Sequence, residues 1–347
     1  MVKLKRRREP RTAFVLSGGG NLGALQVGML RALAQAGEVP DVVLGCSVGS
    51  LNGAAFARNP TPAGVSVLAE AWKAIESPSL MPSSWVPSAI QLLRKGASLH
   101  DSDGLHATAE ALLGAETTIE SLSLPFQCVA TSVDTAMEHW FDSGELLPAI
   151  MASAALPAVY PPVEIDGRRY VDGGVVDNVP IARAVELGCD RIFVLHVGLH
   201  GRPDTDVRRP LDGALLAYWL ARNSRFVRDL AALPDGVEAI VLPVGQRPDL
   251  RYDDFSETAT LIDQGRELTE TFLAEREAER ATTSGDLPPK SLARRFRRLR
   301  LPRAGSRTHE AELAADSAEG AVVLGWDPGT EADDDRDQPG APEPGEG

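Results

Sequence analysis

Cysteine is scarce in this 347-residue chain: Cys46, Cys128 and Cys189 are odd in number, and no two of them stand in a CxxC pair. That argues against a disulfide framework and against a zinc site. Aromatic residues make up only 5% of the chain, and apolar runs such as "IFVLHV" (192–197) fall far short of the ~18 residues needed to cross a bilayer. No transmembrane helix is expected. The opening "MVKLKRRREP" is basic, but strand-like residues and then glycines follow it, where a signal peptide would have an apolar stretch of ~7 to 15 residues and a small-residue cleavage site. No export signal is read, and the expected location is the cytoplasm. Internal repeats are also lacking.

Charge is abundant but unevenly placed. The net charge is −14, yet residues 309–347 hold twelve Asp or Glu against one Arg, which leaves the first 308 residues at only −3. The acidity therefore belongs to a tail, and a body this near to neutral gives no reason to expect a nucleic-acid partner. Residues 309–347, rich in Asp, Glu, Gly and Pro, are expected to be disordered. Before them, "SLARRFRRLRLPR" (291–303) sets six arginines, among them Arg294, Arg295, Arg297 and Arg298, around Leu292, Phe296 and Leu299. Spacing of i, i+4, i+7 makes this a basic amphipathic helix, suited either to an anionic membrane surface at the inner face or to solvent and the acidic tail.

Through the first 275 residues strand and helix patterns alternate. "TAFVLS" (12–17), "DVVLG" (41–45), "FQCVATSV" (126–133), "RIFVLHV" (191–197) and "VEAIVLPV" (237–244) read as strands. Leu22, Leu25, Met29, Leu30 and Leu33 form a helical stripe closed by Gly37, and "SLNGAAFAR", "PIARAVELG" and "GALLAYWLARNSRFVRDLAAL" are further helices. The pattern predicts an α/β domain over 10–275, three layers with a mainly parallel central sheet. A helical, proline-interrupted stretch at 60–124 is either a cap or a peripheral layer, a helical and basic segment spans 276–308, and the tail follows.

Gly18, Gly20 and Gly23 satisfy GxGxxG, the spacing of a dinucleotide cradle. Such a site needs a carboxylate at the end of the second strand to hold the ribose. Asp41 only opens that strand; at its end stands "GCSVG" (45–49), a GxSxG motif at a strand-to-helix junction. Gly45 and Gly49 allow a tight turn that exposes Ser47 beside a helix N-terminus. A serine hydroxyl needs a base, and Asp172, which follows a short strand and precedes Gly173 and Gly174, offers an exposed carboxylate. Alone, a serine there could simply cap the helix, and Asp-Gly-Gly could be an ordinary turn.

Together, "SGGGNLG" (17–23), GxSxG (45–49), "ASAALPAVYPPV" (152–163) and DGG (172–174) resemble the patatin-like phospholipase family, in that order and over roughly residues 12–275. The resemblance implies a Ser47–Asp172 dyad without histidine, an oxyanion hole from the amides of Gly18, Gly19 and Gly20, and hydrolysis of lipid acyl esters through an acyl-enzyme. It implies no metal and no cofactor. One departure stands out: that family's glycine loop commonly reads GGGxRG or GGGxKG, and Leu22 occupies the basic position.

Two alternatives remain at this point. One is a patatin-fold lipid-binding or scaffold protein without catalysis. The other is a Ser-His-Asp α/β-hydrolase with His196 or His200 as base, although Ser47 follows only two predicted strands, early for that fold. Ser153 is read as structural; Asp177 and Asn178 as braces of the turn, with Asp177 the spare carboxylate. His100, Asp101 and Asp103 lack a second ligand group at metal-site spacing.

Overall fold

The computed structural model describes residues 10–75, 103–115, 117–157, 159–197, 210–245 and 254–283. In chain order the elements are β1 (Thr12–Leu16), α1 (Gly23–Gln35), β2 (Val42–Cys46), α2 (Val48–Arg58), α3 (Pro62–Lys73), α4 (Asp103–Leu113), β3 (Phe126–Ser132) and β4 (Glu138–Phe141). After them come α5 (Leu146–Ser153), β5 (Val163–Ile165), β6 (Arg168–Asp172), α6 (Ile181–Glu186), β7 (Arg191–Leu195), α7 (Pro210–Ala231), β8 (Glu238–Val241) and α8 (Thr258–Thr283).

β1 is buried at every position because both of its faces are covered. Successive side chains point opposite ways, so Phe14 and Leu16 enter one core while Ala13 and Val15 enter the other. Side chains from α1 to α5 and from α8 fill the Phe14 side; Ile181 and Ala184 of α6 and Phe226 of α7 fill the Ala13 side. The expected three layers are present.

The sheet runs β5-β6-β3-β2-β1-β7-β8, with β4 also paired to β3. β1, β2, β3, β7 and β8 pair in parallel, whereas β4, β5 and β6 form antiparallel ladders at the β3 end, a feature the strand pattern of the sequence did not anticipate. The register there determines the site. β4 lies opposite Cys128 to Thr131 of β3, overlapping the stretch that pairs with β2 (up to Cys46 beside Val129) and the stretch that pairs with β6 (from Asp172 beside Ala130). A strand has two edges, so β2 and β6 share the edge that β4 leaves free and abut end to end. Cys46 and Asp172 therefore face consecutive residues of β3.

The described part of 60–124 is a core layer. Thr61 caps α3 by accepting the Gly64 N–H at 3.1 Å, Pro62 opens the helix, and Val65, Leu68, Ala69 and Trp72 are buried in the main core. Residues 76–102, with His100 and Asp101, lie outside the described residues, as do His200 and residues 284–347 with Arg294, Arg295, Arg297 and Arg298. α8 runs through the boundary read at 275 and continues to Thr283. Among the described residues no helix is long and apolar enough to cross a membrane, and all three cysteines are buried and free.

Candidate active site

Ser47 sits between β2 and α2 with φ 53° and ψ −126°, a conformation L-residues rarely adopt. Such a residue costs about 1–3 kcal/mol and persists only where its surroundings over-determine it. Here they do. The Ser47 N–H donates to Ser153 Oγ at 3.0 Å, and that hydroxyl donates onward to the Val129 carbonyl at 2.7 Å. The Ser47 carbonyl accepts both the N–H and the hydroxyl of Ser50, at 2.9 Å and 2.5 Å. Ser153 is thus a clamp on the elbow, a more specific role than helix packing.

The glycines flanking Ser47 permit close approach. A Cβ on Gly49 would lie 2.4 Å from the Leu16 carbonyl oxygen and 2.6 Å from that of Ser17, so only glycine lets α2 start against the end of β1. Gly45 has the same constraint against Ser50 on the other side of the turn.

Asp172 ends β6 and is 2% exposed. Its N–H donates to Ala155 O at 2.9 Å, its carbonyl accepts the Thr131 hydroxyl at 2.9 Å, and its Oδ1 accepts the Gly174 N–H at 2.7 Å. Gly173 is held tightly against the Val129 carbonyl, and Gly174 leaves the space beside Oδ1 that a side chain would fill. Burial pushes the Asp172 carboxyl above the ordinary carboxylate range; the neighbouring Ser47 side chain, the Gly174 amide and the Arg222 charge pull the other way. Cys46 Sγ lies 4.0 Å from Oδ1, and burial first, then this carboxylate, drives its thiol pKa far upward, so it stays a neutral thiol.

The glycine loop abuts the same point. A Cβ on Gly18 would stand 3.0 Å from Ser47 Cβ and 2.5 Å from Asn178 Oδ1. The Gly18 N–H is already donated to the Asn178 carbonyl at 3.3 Å, which removes it from the expected set of oxyanion donors. The N–H groups of Gly19 and Gly20 have no acceptor among the described residues. From beneath, a relay of buried side chains holds the loop: Trp72 Nε1 donates to Asn52 Oδ1 (2.8 Å), Asn52 Nδ2 to Gln26 Oε1 (3.0 Å), and Gln26 Nε2 to Ser17 O (2.7 Å). Leu22 is 8% exposed and lies in the main core, so this chain has no cation at the position its glycine loop would have offered one.

His196 lies one residue beyond β7, is buried, stacks edge-on against Phe226, and has Nδ1 3.3 Å from Ser17 Oγ. These contacts tie it to Ser17, at the start of the glycine loop. Asp177, 1% exposed, faces Arg225 Nη2 at 3.5 Å, with Glu138 and Asp229 on the same guanidinium. It braces the turn from the far side, as expected. Burial, reinforced by Glu138 and Asp229 against the opposing Arg225, holds its carboxyl well above the usual range. A raised carboxylate pKa favours folding below the unfolded value and loses that contribution as pH rises through the folded value. Asp177→Asn is therefore expected to melt ~2–4 °C above wild type at pH 8, with the advantage shrinking toward pH 5, a shift readable by calorimetry. Among the described residues no group of three or more His, Cys, Asp or Glu could hold a metal ion.

Arg222 of α7 escaped the sequence reading. Its Nη2 donates to the Gly18 carbonyl at 3.2 Å and its guanidinium lies 4.9 Å from the Tyr218 ring centroid. The available signal was the i, i+4, i+7 row of Tyr218, Arg222 and Arg225 on one helix.

Residues 14–185 match the family model described as Patatin-like phospholipase. This part of the chain belongs to the patatin-like phospholipase family. Within it, patatin-like phospholipase domain-containing protein 7 of Rattus norvegicus is 30% identical over 210 residues, 60% of this chain and 15% of that protein. Lysophospholipase NTE1 of Phaeosphaeria nodorum is 31% identical over the same length, 60% of this chain and 13% of its own. The chain thus matches only about one seventh of these relatives' length. Among solved structures, VipD from Legionella pneumophila is similar with a TM-score of 0.41 and 15% identity, over 77% of this chain and 67% of that one. The patatin-like match includes the glycine loop from its first strand, the GxSxG turn and the DGG turn.

Proposed function

We propose that this protein is a serine lipid acyl hydrolase, a phospholipase A or lysophospholipase-like esterase, in which Ser47 is the nucleophile and Asp172 the base. The observations that support the reading are a strained, half-buried serine at the end of β2, the buried carboxylate of Asp172 at the abutting end of β6, and a glycine loop against Ser47 whose Gly19 and Gly20 amides have no acceptor among the described residues. Membership of the patatin-like family supports lipid acyl esters as the substrate class.

In the proposed reaction Asp172 accepts the Ser47 proton as the serine oxygen attacks the acyl carbonyl. The N–H groups of Gly19 and Gly20, reinforced by the positive N-terminus of the following helix, stabilise the oxyanion. Collapse releases the alcohol, which takes the proton from Asp172 and leaves an acyl-Ser47 ester. A water that gives its proton to Asp172 then attacks this ester, and the fatty acid departs as Ser47 recovers its hydrogen. No histidine is needed because one buried carboxylate, its basicity raised by desolvation, shuttles the proton in both halves.

A fluorophosphonate probe tests this directly. Wild type is expected to label stoichiometrically and to lose its esterase activity, and Ser47→Ala to do neither. A folded wild-type protein that binds lipid but never labels or hydrolyses would instead be a binding or scaffold member of the family, and the hydrolase reading would fall.

A further inference from the structure

We propose that Arg222 is a positioning residue of this site: its guanidinium holds the Gly18 carbonyl and so fixes the direction of the Gly19 N–H, the donor the oxyanion requires. The inference rests on the hydrolase reading and deepens it.

The geometry starts from the peptide unit. The Gly18 C=O and the Gly19 N–H belong to one planar trans peptide, so they point in opposite directions, and whatever holds the oxygen aims the hydrogen. A peptide between two glycines has no Cβ to restrain it and can rotate at little steric cost. A flipped peptide would present a carbonyl oxygen where the oxyanion develops, turning stabilisation into repulsion. Two side chains oppose that rotation: Asn178 Nδ2 at 3.4 Å and Arg222 Nη2 at 3.2 Å from the Gly18 oxygen. The arginine bond is the shorter and the charge-assisted one, hence the stronger. A cation on the oxygen also polarises the peptide and makes its N–H a better donor.

Arg222 is itself held. Its guanidinium is packed over Tyr218, one turn earlier on α7, and Gly174 has the Tyr218 hydroxyl close beside it, so α7 reaches both the glycine loop and the DGG turn. The same positive charge acts on Asp172 and favours its ionised, proton-accepting form. Leu22, turned into the apolar core, contributes no charge to the loop. Here a cation reaches the loop from a helix far along the chain, the separation between Gly18 and Arg222 being 204.

The test is steady-state kinetics of Arg222→Ala and Arg222→Lys on a neutral short-chain p-nitrophenyl ester, a substrate with no anionic headgroup for the arginine to bind. Arg222→Ala is expected to lose ~30- to 100-fold in kcat, somewhat less than removal of an oxyanion donor, with KM within about twofold. The acid limb of kcat/KM should move to higher pH, because Asp172 has lost the charge that favours ionisation, and millimolar ethylguanidinium should restore part of the rate. Arg222→Lys keeps the stem and the charge and should lose less than about tenfold with the limb unmoved; it carries the test if the alanine variant does not fold. Unchanged kcat and an unmoved limb in a wild-type background that hydrolyses the ester overturn the inference alone, as does a defect confined to KM for anionic phospholipid. A wild-type protein that fails to hydrolyse the ester overturns the hydrolase reading and this inference with it.

Discussion

Asp172→Asn is expected to lower kcat by about 10⁴-fold while leaving KM within a few-fold and the fold intact, because only the capacity to take a proton is removed. The asparagine side chain fills the same space and its Oδ1 can still accept the Gly174 N–H, which Asp172 accepts at 2.7 Å. The backbone pairing of Asp172 with Ala130 and the Thr131 hydroxyl bond to the residue 172 carbonyl do not involve the carboxylate. The pH dependence supplies a second readout. In wild type the acid limb of kcat/KM should lie above the ordinary Asp range, since burial outweighs the Ser47, Gly174 and Arg222 contributions and raises the carboxyl. The residual activity of the variant should lack that limb. Stability should move the opposite way to activity: a carboxyl raised in the fold contributes stability at low pH that is lost as it ionises, so the neutral amide should melt higher than wild type at pH 7–8. Near-wild-type turnover in Asp172→Asn would remove Asp172 from the mechanism and shift attention to other bases.

What the sequence showed of this site were its parts. Strand-like "DVVLG" running into GxSxG specified an elbow, and the structure forms one at Ser47; Asp-Gly-Gly after a short strand specified a carboxylate at a turn, but the exposure expected of it was wrong, because Asp172 is packed under the turn and is 2% exposed. What no periodicity could give was the meeting of the two, because it depends on β2 and β6 sharing one edge of β3, a tertiary register with no local signature. β4 and β5 were missed for a related reason: "EHWF" and "VEI" are short and only half-buried, and lack the apolar run by which the parallel strands are recognised. α8 is polar over most of its length and joins α1 through backbone approach, with Gly28 against the Ile262 carbonyl and Gly265 against that of Leu25, so it has little apolar stripe to detect. The row of Tyr218, Arg222 and Arg225 was a weak signal, because an arginine on an amphipathic helix reads as solvent-facing until the fold shows what lies opposite. Ser153 was legible as a helix residue near the site, and its hydroxyl bond to the elbow appeared only in three dimensions.

Gly49→Ala is expected to cost about 2–4 kcal/mol of stability and, in whatever fraction folds, ~10²-fold in kcat, a large effect for a single methyl group. The added carbon would meet carbonyl oxygens of Leu16 and Ser17 at 2.4 and 2.6 Å, and those belong to backbone at the end of β1. Flexible side chains could swing aside, but a central strand paired to β2 and β7 cannot. Relief must come from α2 moving away. That movement carries Ser47 with it, stretching the Ser47 N–H from Ser153 Oγ and the nucleophile from Asp172. Ser17 also begins the glycine loop, so the same methyl displaces the elbow and the loop relative to each other, the one distance on which nucleophile and oxyanion donors both depend. Gly53→Ala, in the same helix, is the control: its Cβ would meet only side chains, at 3.1 Å or more, and should cost far less on both measures. Equal losses in the two variants, read by denaturant melts and by turnover of the folded fraction, would show that α2 packing in general, and not its contact with the end of β1, sets the geometry of the nucleophile.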